Sequence, residues 1–155
     1  MLDLGVHLID LALWLRDYPP MALVSAHRYA KGRKLNGADD AIEDLAFAEF
    51  YQQDGTAVRI ACSWNANIGR HASIGADIFG SRAGAVWRNV DGSFVDFQMD
   101  LLRGTSRESI GSDLDTWGPR ALMQWLTRLS CDRSFDPEAA HILATARLID
   151  EVYRS

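Results

Sequence analysis

Two hydrophobic patterns distinguish the start of the chain from the segment that follows it. From Leu4 to Arg16 apolar residues recur at the spacing of one helix face, and Tyr18-Pro19-Pro20 ends the pattern. The spacing predicts a heavily buried helix over Leu4 to Arg16. From Ala22 to Tyr29 apolar and polar positions alternate instead, which predicts a strand.

The middle of the chain is rich in further strand patterns. Five are predicted: Ile42 to Gln52, Thr56 to Trp64, Ala72 to Phe79, Gly84 to Asn89 and Ser93 to Met99. The first two are joined by Gln53-Asp54-Gly55, and Asp-Gly between β-rich runs indicates a hairpin. Two polar stretches, Lys31 to Asp40 and Gly104 to Asp115, are predicted to be loops.

The last forty residues return to helical spacing. Helices are predicted from Pro119 to Leu129 and from Pro137 to Tyr153. Asp136 suits the N-cap of the second helix, because Pro137 and Glu138 follow it in the first turn. The apolar face of this helix is predicted to consist of Ile142, Ala146, Ile149 and Tyr153.

Strands in a run, flanked by helices, are typical of an α+β domain. We predict one domain over residues 1–155, with an open, mostly antiparallel sheet of about six strands and helices on one face. The uncovered face would remain partly apolar and is expected to pair sheet to sheet in a homodimer. Candidate residues for that face are Leu45, Phe47, Tyr51, Ile78 or Phe79, and Phe97.

Composition and charge exclude several classes of protein. The 155 residues are 48% hydrophobic and 24% charged with a net charge of −5, which is typical of a soluble globular domain. No basic stripe is present to bind nucleic acid, and charged residues interrupt every long apolar run, so no membrane span is expected. Cys62 and Cys131 form no disulfide framework or zinc pattern, which fits a cytoplasmic protein.

Asp3 and His7 are the strongest candidates for chemistry. If one helix contains both, their i, i+4 spacing places them on the same face, where a carboxylate can orient an imidazole that acts as a general base. The alternative is structural: Asp3 as an N-cap and His7 as a hydrogen-bonded residue at the start of a core helix. Spacing alone leaves both interpretations open.

Other candidates are less specific. Trp64 and Asn65 at a strand end and Arg70 in the next loop could line a substrate pocket, or Trp64 could belong to a packed surface loop. No metal site is predicted, because the potential ligands lack a preassembling spacing. Those ligands are His27, His71 and His141 with Asp39, Asp40 or Glu43.

The residues from Met1 to Asp10 contain Asp-x-Gly-x-His-x-x-Asp, formed by Asp3, Gly5, His7 and Asp10. This segment resembles the start of the C-terminal domain in the glucose-fructose oxidoreductase, inositol dehydrogenase and rhizopine-catabolism (Gfo/Idh/MocA) family. The resemblance continues to the end of the chain. It is carried by Val24-Ser25-Ala26, Glu43-Asp44, Ser63-Trp64, Ile78 to Gly84 and the closing Ile149 to Ser155.

The resemblance implies a fold like the C-terminal domains of dihydrodipicolinate reductase and glyceraldehyde-3-phosphate dehydrogenase. It also implies oxidation of a small sugar or polyol with NAD or NADP. His7 would take the hydroxyl proton, Asp3 would orient His7, and a hydride would leave the same carbon for the nicotinamide. Asp10 is expected to hold the helix in place. In the family a lysine of a Glu-Lys-Pro motif, in a preceding nucleotide-binding domain, acts with this pair.

The sequence departs from the complete family pattern at the cofactor site. It has no Gly-x-Gly-x-x-Gly, and its two lysines, Lys31 and Lys34, are not in a Glu-Lys-Pro context. We therefore expect an isolated C-terminal domain that binds no cofactor itself and is inactive alone. It would need the Rossmann domain in cis or in trans. The alternative is a stand-alone ligand-binding or dimerisation module without redox activity.

Overall fold

The computed structural model describes residues 1–37, 39, 41–111 and 117–155, and it divides the chain into two compact units. The first unit contains Met1–Ala66 and Phe135–Ser155, and the second contains Asn67–Ser134. Each unit has a four-stranded antiparallel sheet. The predicted α+β class is confirmed. The described residues form eight strands in two sheets, where the sequence pattern predicts about six strands in one.

The elements follow one another as a helix, eight strands and two helices. The helices are α1 (Gly5–Trp14), α2 (Trp117–Cys131) and α3 (Ala140–Arg154), with a 3-10 turn at Pro137–Ala139 before α3. The first sheet has the order β2-β1-β3-β4 and contains β1 (Met21–Ala30), β2 (Arg33–Leu35), β3 (Leu45–Gln52) and β4 (Ala57–Ser63). The second has the order β5-β6-β7-β8 and contains β5 (Gly75–Phe79), β6 (Gly84–Asn89), β7 (Phe97–Arg103) and β8 (Ser106–Gly111). Within the described ranges, no helix has the length and apolar character needed to cross a bilayer.

Two strands, β2 and β8, occupy segments that the sequence predicts to be loops. The β1–β2 hairpin turns at Lys31 and Gly32, whose φ angles of 50° and 78° are those of a tight hairpin turn. The β7–β8 hairpin likewise turns through two residues, Gly104 and Thr105. Both strands are mainly polar, so their pairing comes from these turns and not from a hydrophobic pattern. Residues 112–115 of the second predicted loop lie outside the described part of the chain.

Strand β7 begins four residues later than the alternation of Ser93 to Met99 predicts. The Ser93 hydroxyl donates to the Asp96 carboxylate at 2.7 Å, and the Asp96 N–H donates to Ser93 Oγ at 3.1 Å. These local bonds close a turn, so the chain becomes a strand only at Phe97. Side chains that bond their own backbone compete with sheet pairing in this way.

The core of the first unit lies between one face of its sheet and the helices α1 and α3. Phe50 in the middle of β3 is fully buried, whereas Phe47 on the opposite face of the same strand is 42% exposed. The buried apolar cluster around Phe50 contains Met1, Ile9, Leu13, Ala46, Ala48, Ile60, Leu148, Ile149 and Val152. The alternation along β3 therefore separates a helix-covered face from an open one.

The buried face of α3 differs from its predicted face. Ile142 is exposed, whereas Thr145 is buried together with Leu148, Ile149 and Val152. Thr145 faces inward because its hydroxyl donates to Asp10 on α1 at 3.0 Å. A pattern counted from apolar residues alone cannot include an inward threonine. The predicted capping by Asp136 is confirmed, since its carboxylate accepts the Glu138 N–H at 2.9 Å, but it caps the 3-10 turn Pro137–Ala139, and α3 itself begins at Ala140.

The second unit has a separate apolar contact on its sheet. The rings of Trp87 on β6 and Phe97 on β7 stack with their centroids 4.5 Å apart. The side chains of α2 are exposed from Pro119 to Cys131. This helix therefore does not give the second sheet the cover that the sequence analysis predicts.

Candidate functional site

Asp3 and His7 lie on either side of the start of α1. The helix begins at Gly5 with Leu4 as its N-cap, so Asp3 lies in the preceding turn and His7 in the helix. Both side chains are exposed. Within the described part of the chain neither forms a hydrogen bond or ion pair, so the two groups are not in the contact that their spacing suggested.

Gly5 allows the segment before α1 to pack closely. Its N–H donates to the Met1 carbonyl at 2.8 Å, and a Cβ at this position would lie 1.8 Å from Met1 Sδ. Met1 is itself buried, and its sulfur lies 3.8 Å from Cys62 Sγ on β4. Because a side chain at Gly5 would displace Met1, glycine fixes how closely the turn carrying Asp3 approaches the sheet.

A buried polar cluster holds the residues just before Asp3. Glu43, whose side chain is 7% exposed, binds both the terminal ammonium of Met1 and the hydroxyl of Tyr153 on α3. The Tyr153 hydroxyl also accepts the N–H of Leu2 at 3.3 Å. The segment Met1–Leu2 is therefore attached to the loop before β3 and to the last helix. This attachment sets the position of Asp3.

The ionisation of Glu43 and Tyr153 reflects this contact. Burial raises the pKa of Glu43, but hydrogen bonds from the ammonium and from Tyr153 outweigh burial, so its pKa lies below the usual value. Burial and the hydrogen bond to Glu43 raise the pKa of Tyr153 to about 12. At neutral pH the cluster therefore contains a carboxylate and a neutral phenol, which is the combination that its hydrogen bonds require.

Arg28 also belongs to this cluster and contacts the C-terminal end of α3. Its side chain is buried, and its guanidinium lies 4.8 Å from the centre of the Tyr153 ring. It donates to the backbone carbonyls of Tyr153 at 3.3 Å and Asn36 at 3.4 Å. A cation at the C-terminal end of a helix is favoured by the helix dipole. Arg28 therefore fixes the end of α3 that carries Tyr153.

Asp10 attaches the middle of α1 to neighbouring elements. Its Oδ1 accepts a hydrogen bond from the Tyr18 hydroxyl at 3.1 Å and one from the Thr145 hydroxyl at 3.0 Å. The Tyr18 ring stacks on His141 of α3 with centroids 3.8 Å apart. Asp10 thus joins α1 to α3, the holding role expected for it from the sequence.

Trp64 and Asn65 follow directly after β4. Trp64 is exposed, and Cys62, two residues before it, lies against Met1 beside the start of α1. The Asn65 N–H donates to Ser63 Oγ at 3.1 Å. The end of β4 that precedes Trp64 therefore lies beside the start of α1.

Arg70, the third proposed pocket residue, belongs to the second unit. Its Cβ lies 3.5 Å from the position that a Cβ on Gly92 would take, beside the turn between β6 and β7. Its pocket role stays a prediction. Among the described residues, no three or more His, Cys, Asp or Glu side chains are grouped so that they could hold a metal ion. Asp40, one of the potential ligands considered, lies outside the described residues.

Residue spacing did not identify Glu43, Tyr153 and Arg28 as parts of the site. The contacts of Glu43 with Met1 and with Tyr153 span 42 and 110 residues of sequence. Their only sequence signal was that Glu43-Asp44 and the closing Tyr153 resemble family positions. A buried charge pair distant in sequence leaves no periodic pattern.

Glu43→Gln is expected to lower the free energy of unfolding of this chain by about 1–3 kcal/mol at pH 7, because the Met1 nitrogen and the Tyr153 hydroxyl lose their charged acceptor. Since the folded pKa of Glu43 is depressed, its contribution is present above the pKa of the unfolded state, about 4.3, and is lost as the pH falls through the folded value. Urea unfolding of both proteins between pH 7 and pH 2 measures the difference.

The matched control is Glu49→Gln on β3. Glu49 pairs with Arg59 at 3.2 Å, but the arginine side chain is 81% exposed, and exposed pairs contribute about 0–1 kcal/mol. If Glu43→Gln costs no more than the control at pH 7, or if its cost does not diminish in acid, the cluster does not stabilise the first turn as described.

Comparison with known protein families identifies the family to which this chain belongs. Residues 1–86 match the model of the GFO/IDH/MocA C-terminal domain. The match covers more than half of the chain, which therefore belongs to this family of oxidoreductase C-terminal domains. Among curated proteins, none matches the sequence.

Solved structures with the same fold are about twice as long as this chain. KijD10, a 3-ketoreductase from Actinomadura kijaniata solved with NADP and TDP-benzene, superposes with a TM-score of 0.74 at 15% identity over 97% of this chain and 43% of that one. UDP-N-acetylglucosamine 3-dehydrogenase GnnA from Acidithiobacillus ferrooxidans gives a TM-score of 0.67 at 17% identity, covering 97% of this chain and 43% of that one. The chain thus spans less than half the length of these enzymes.

Proposed function

We propose that this chain is the substrate-binding and catalytic C-terminal domain of an NAD(P)-dependent sugar or polyol oxidoreductase. The observation that carries the proposal is the state of the turn before α1 and of the first residues of that helix. Asp3 and His7 are exposed and without partners in the described part of the chain, although Glu43 holds Met1 before them and Asp10 holds α1 against α3 after them. A reacting group is effective when a rigid support holds it in position and leaves it accessible to substrate.

In the proposed reaction His7 accepts the hydroxyl proton of the substrate. Its imidazole is exposed, so a substrate oxygen can reach a ring nitrogen without displacing a protein partner. Asp3 lies in the turn that precedes α1. In the proposed reaction its negative charge favours the imidazolium formed by the proton transfer. Trp64 offers an apolar surface on which a sugar ring can stack.

The residues of this chain do not fit a dinucleotide. A dinucleotide site needs a glycine-rich turn that leads from a strand into a helix N-terminus. The sequence has no such motif, and every described glycine with positive φ lies in a turn or loop away from a helix start: Gly32, Gly55, Gly69, Gly92 and Gly104. The nicotinamide, which accepts the hydride, would be held by a separate nucleotide-binding domain.

The isolated chain is accordingly expected to bind no NADH or NADPH and to show no dehydrogenase activity, because no cradle for the pyrophosphate is present. Titration of the chain with NADH, followed by nicotinamide fluorescence, measures this. Saturable binding in the micromolar range would contradict the prediction and reveal a cofactor site within these residues.

The gene context separates this proposal from its alternative. An in-frame or adjacent region encoding Gly-x-Gly-x-x-Gly and Glu-Lys-Pro upstream of Met1 supports the enzyme. Its absence supports the alternative, a stand-alone ligand-binding or dimerisation module without redox activity. One related enzyme is named for its action on UDP-N-acetylglucosamine, and the other was solved in complex with TDP-benzene. Nucleotide sugars are therefore the first substrates to test.

We also propose that the open face of the first sheet is a homodimer interface. Phe47 and Tyr51 are 42% and 50% exposed on the face of β3 opposite α1 and α3, and the ring of Tyr29 contacts Phe47 edge-on with centroids 6.3 Å apart. Sheet faces of this kind are apolar enough to pair with a second copy. The hydrophobic pattern predicted an interface face that also included Ile78 or Phe79 and Phe97, but these residues lie on β5 and β7 of the second sheet, so only Leu45, Phe47 and Tyr51 of the predicted set belong to the first sheet.

Phe47→Glu is expected to convert the dimer to a monomer, because pairing two sheets would bury two unpaired carboxylates at the centre of the interface. Light scattering at high micromolar protein concentration measures the change. The matched control is Leu143→Glu, an exposed apolar position on α3 outside the sheet, which should leave the dimer intact. A wild-type chain that is monomeric at that concentration would rule the interface out.

A further inference from the structure

A cationic cleft lies at one end of the second sheet, in the unit that does not contain Asp3 and His7. The antiparallel order β5-β6-β7-β8 places the β5–β6 turn and the β7–β8 turn at the same end. Gly84 pairs with Leu102, so the residues just before β6 lie next to Arg103 at the end of β7. The β5–β6 turn and the end of β7 thus lie side by side and line the cleft.

The cleft has a volume of about 520 Å³, within the range of small-ligand pockets. Its lining consists of Gly80, Ser81, Arg82, Ala83 and Arg103. Two arginines and one serine therefore line a common space, and the five lining residues include no Asp or Glu. Like charges brought together in this way repel unless an anion joins them.

The arginines of the cleft differ from the other arginines on this sheet in their partners. Arg88 pairs with Asp77, and Arg107 pairs with Asp100, whose side chain is almost fully buried. Arg82 has no hydrogen bond or ion pair within the described residues. Arg103 has only Glu108 at 3.9 Å, and both side chains of that pair are mostly exposed, so the interaction is weak.

The backbone of the β5–β6 turn adds further donors. Gly80 N–H donates to the Ala83 carbonyl at 3.0 Å, and a Cβ on Gly80 would lie 2.7 Å from that oxygen, so the turn requires glycine there. The N–H groups of Ser81 and Arg82, at the tip of the turn, have no acceptor in the described part of the chain. Successive free amides beside cationic side chains form a typical anion-binding concavity.

We propose that this cleft binds a phosphoryl anion, either inorganic phosphate or the phosphate group of a small ester. A phosphoryl group has several oxygens, which can accept from the two guanidinium forks, the Ser81 hydroxyl and the free amides together. The cleft volume leaves space for a group attached to the phosphate. The site lies wholly within the second unit, so it does not depend on the redox function proposed for Asp3 and His7.

The test is titration of the whole chain at low ionic strength, followed by amide NMR shifts, with inorganic phosphate and separately with ribose 5-phosphate. Saturable shifts are expected at Ser81, Arg82 and Arg103. Arg82→Ala and Arg103→Ala are each expected to weaken binding at least about tenfold, the usual effect of losing a charge-assisted contact. The ligand with the lower Kd identifies which of the two sources the site favours.

The matched control is Arg59→Ala, which removes an exposed arginine from the first unit and should leave the affinity unchanged. Unchanged amide spectra outside the cleft show that each variant is folded. Arg82→Lys should bind more tightly than Arg82→Ala, because lysine restores the positive charge but not the bidentate hydrogen bonds of a guanidinium group. The proposal is overturned if neither ligand shifts these amides, or if Arg59→Ala weakens binding as much as Arg82→Ala.

Discussion

Replacing His7 with alanine is expected to reduce turnover about 100-fold or more, the usual contribution of a positioned general base. The measurement needs a protein in which this chain is joined to a nucleotide-binding domain, with a nucleotide sugar or polyol as substrate. Affinity for the nicotinamide cofactor should stay nearly unchanged, because His7 lies on α1 of this chain, which carries no dinucleotide motif. Comparison of kcat with the Kd for NADH separates the two effects.

His71→Ala is the control for this prediction. His71 is also exposed, but it lies in the second unit and not at the start of α1. Its replacement should leave kcat within about twofold, since His71 does not belong to the Asp3–Asp10 motif. If His7→Ala is as active as His71→Ala, the proton goes to another group and the proposed role of His7 is wrong.

Phe50→Ala is expected to reduce the stability of the first unit by about 3–5 kcal/mol. Phe50 is fully buried at the centre of β3, and its removal leaves a cavity between the sheet and the helices α1 and α3. A loss of this size is a large fraction of the roughly 5–15 kcal/mol that stabilises a typical domain. Hydrogen exchange of the β1 and β3 amides measures it directly in the unit concerned.

The control for Phe50→Ala is the same substitution at Phe135. That side chain also belongs to the first unit but is 79% exposed, so its removal creates no cavity. Exchange of the same amides should change by less than about 0.5 kcal/mol. Equal effects of the two substitutions would mean that Phe50 is not the centre of the core.

Local sequence signals predicted the elements that depend on local chemistry. The Asp54-Gly55 turn has φ of 94° at Gly55 and joins β3 to β4 as expected, and β6 has its predicted bounds. Strands β2 and β8 were missed because they are polar and depend on turns that position them beside an existing strand. The rotation of the α3 face came from Thr145, whose polar side chain is buried only because Asp10 lies opposite it.

The candidate site was predictable only in part. The segment from Asp3 to Asp10 is a contiguous motif, so its resemblance to the family is visible in the sequence alone. The cluster that supports it could not be predicted from spacing, because Glu43, Arg28 and Tyr153 meet only when the first and last helices lie on the same sheet. An i, i+4 contact of Asp3 with His7 also requires a helix through Asp3, whereas α1 begins two residues later.

The discontinuous first unit has a consequence for biosynthesis. Its sheet and α1 are translated first, but α3, which completes their core, is translated last, after residues 67–134 have been made. At typical elongation rates this interval is on the order of ten seconds. During that time the face of β3 that carries Phe50 has no α3 to cover it, whereas the second unit is contiguous and can fold as soon as it leaves the ribosome. Early termination before Ala140 would therefore leave the start of the chain without its fold, although every residue of the Asp3–Asp10 motif had been made.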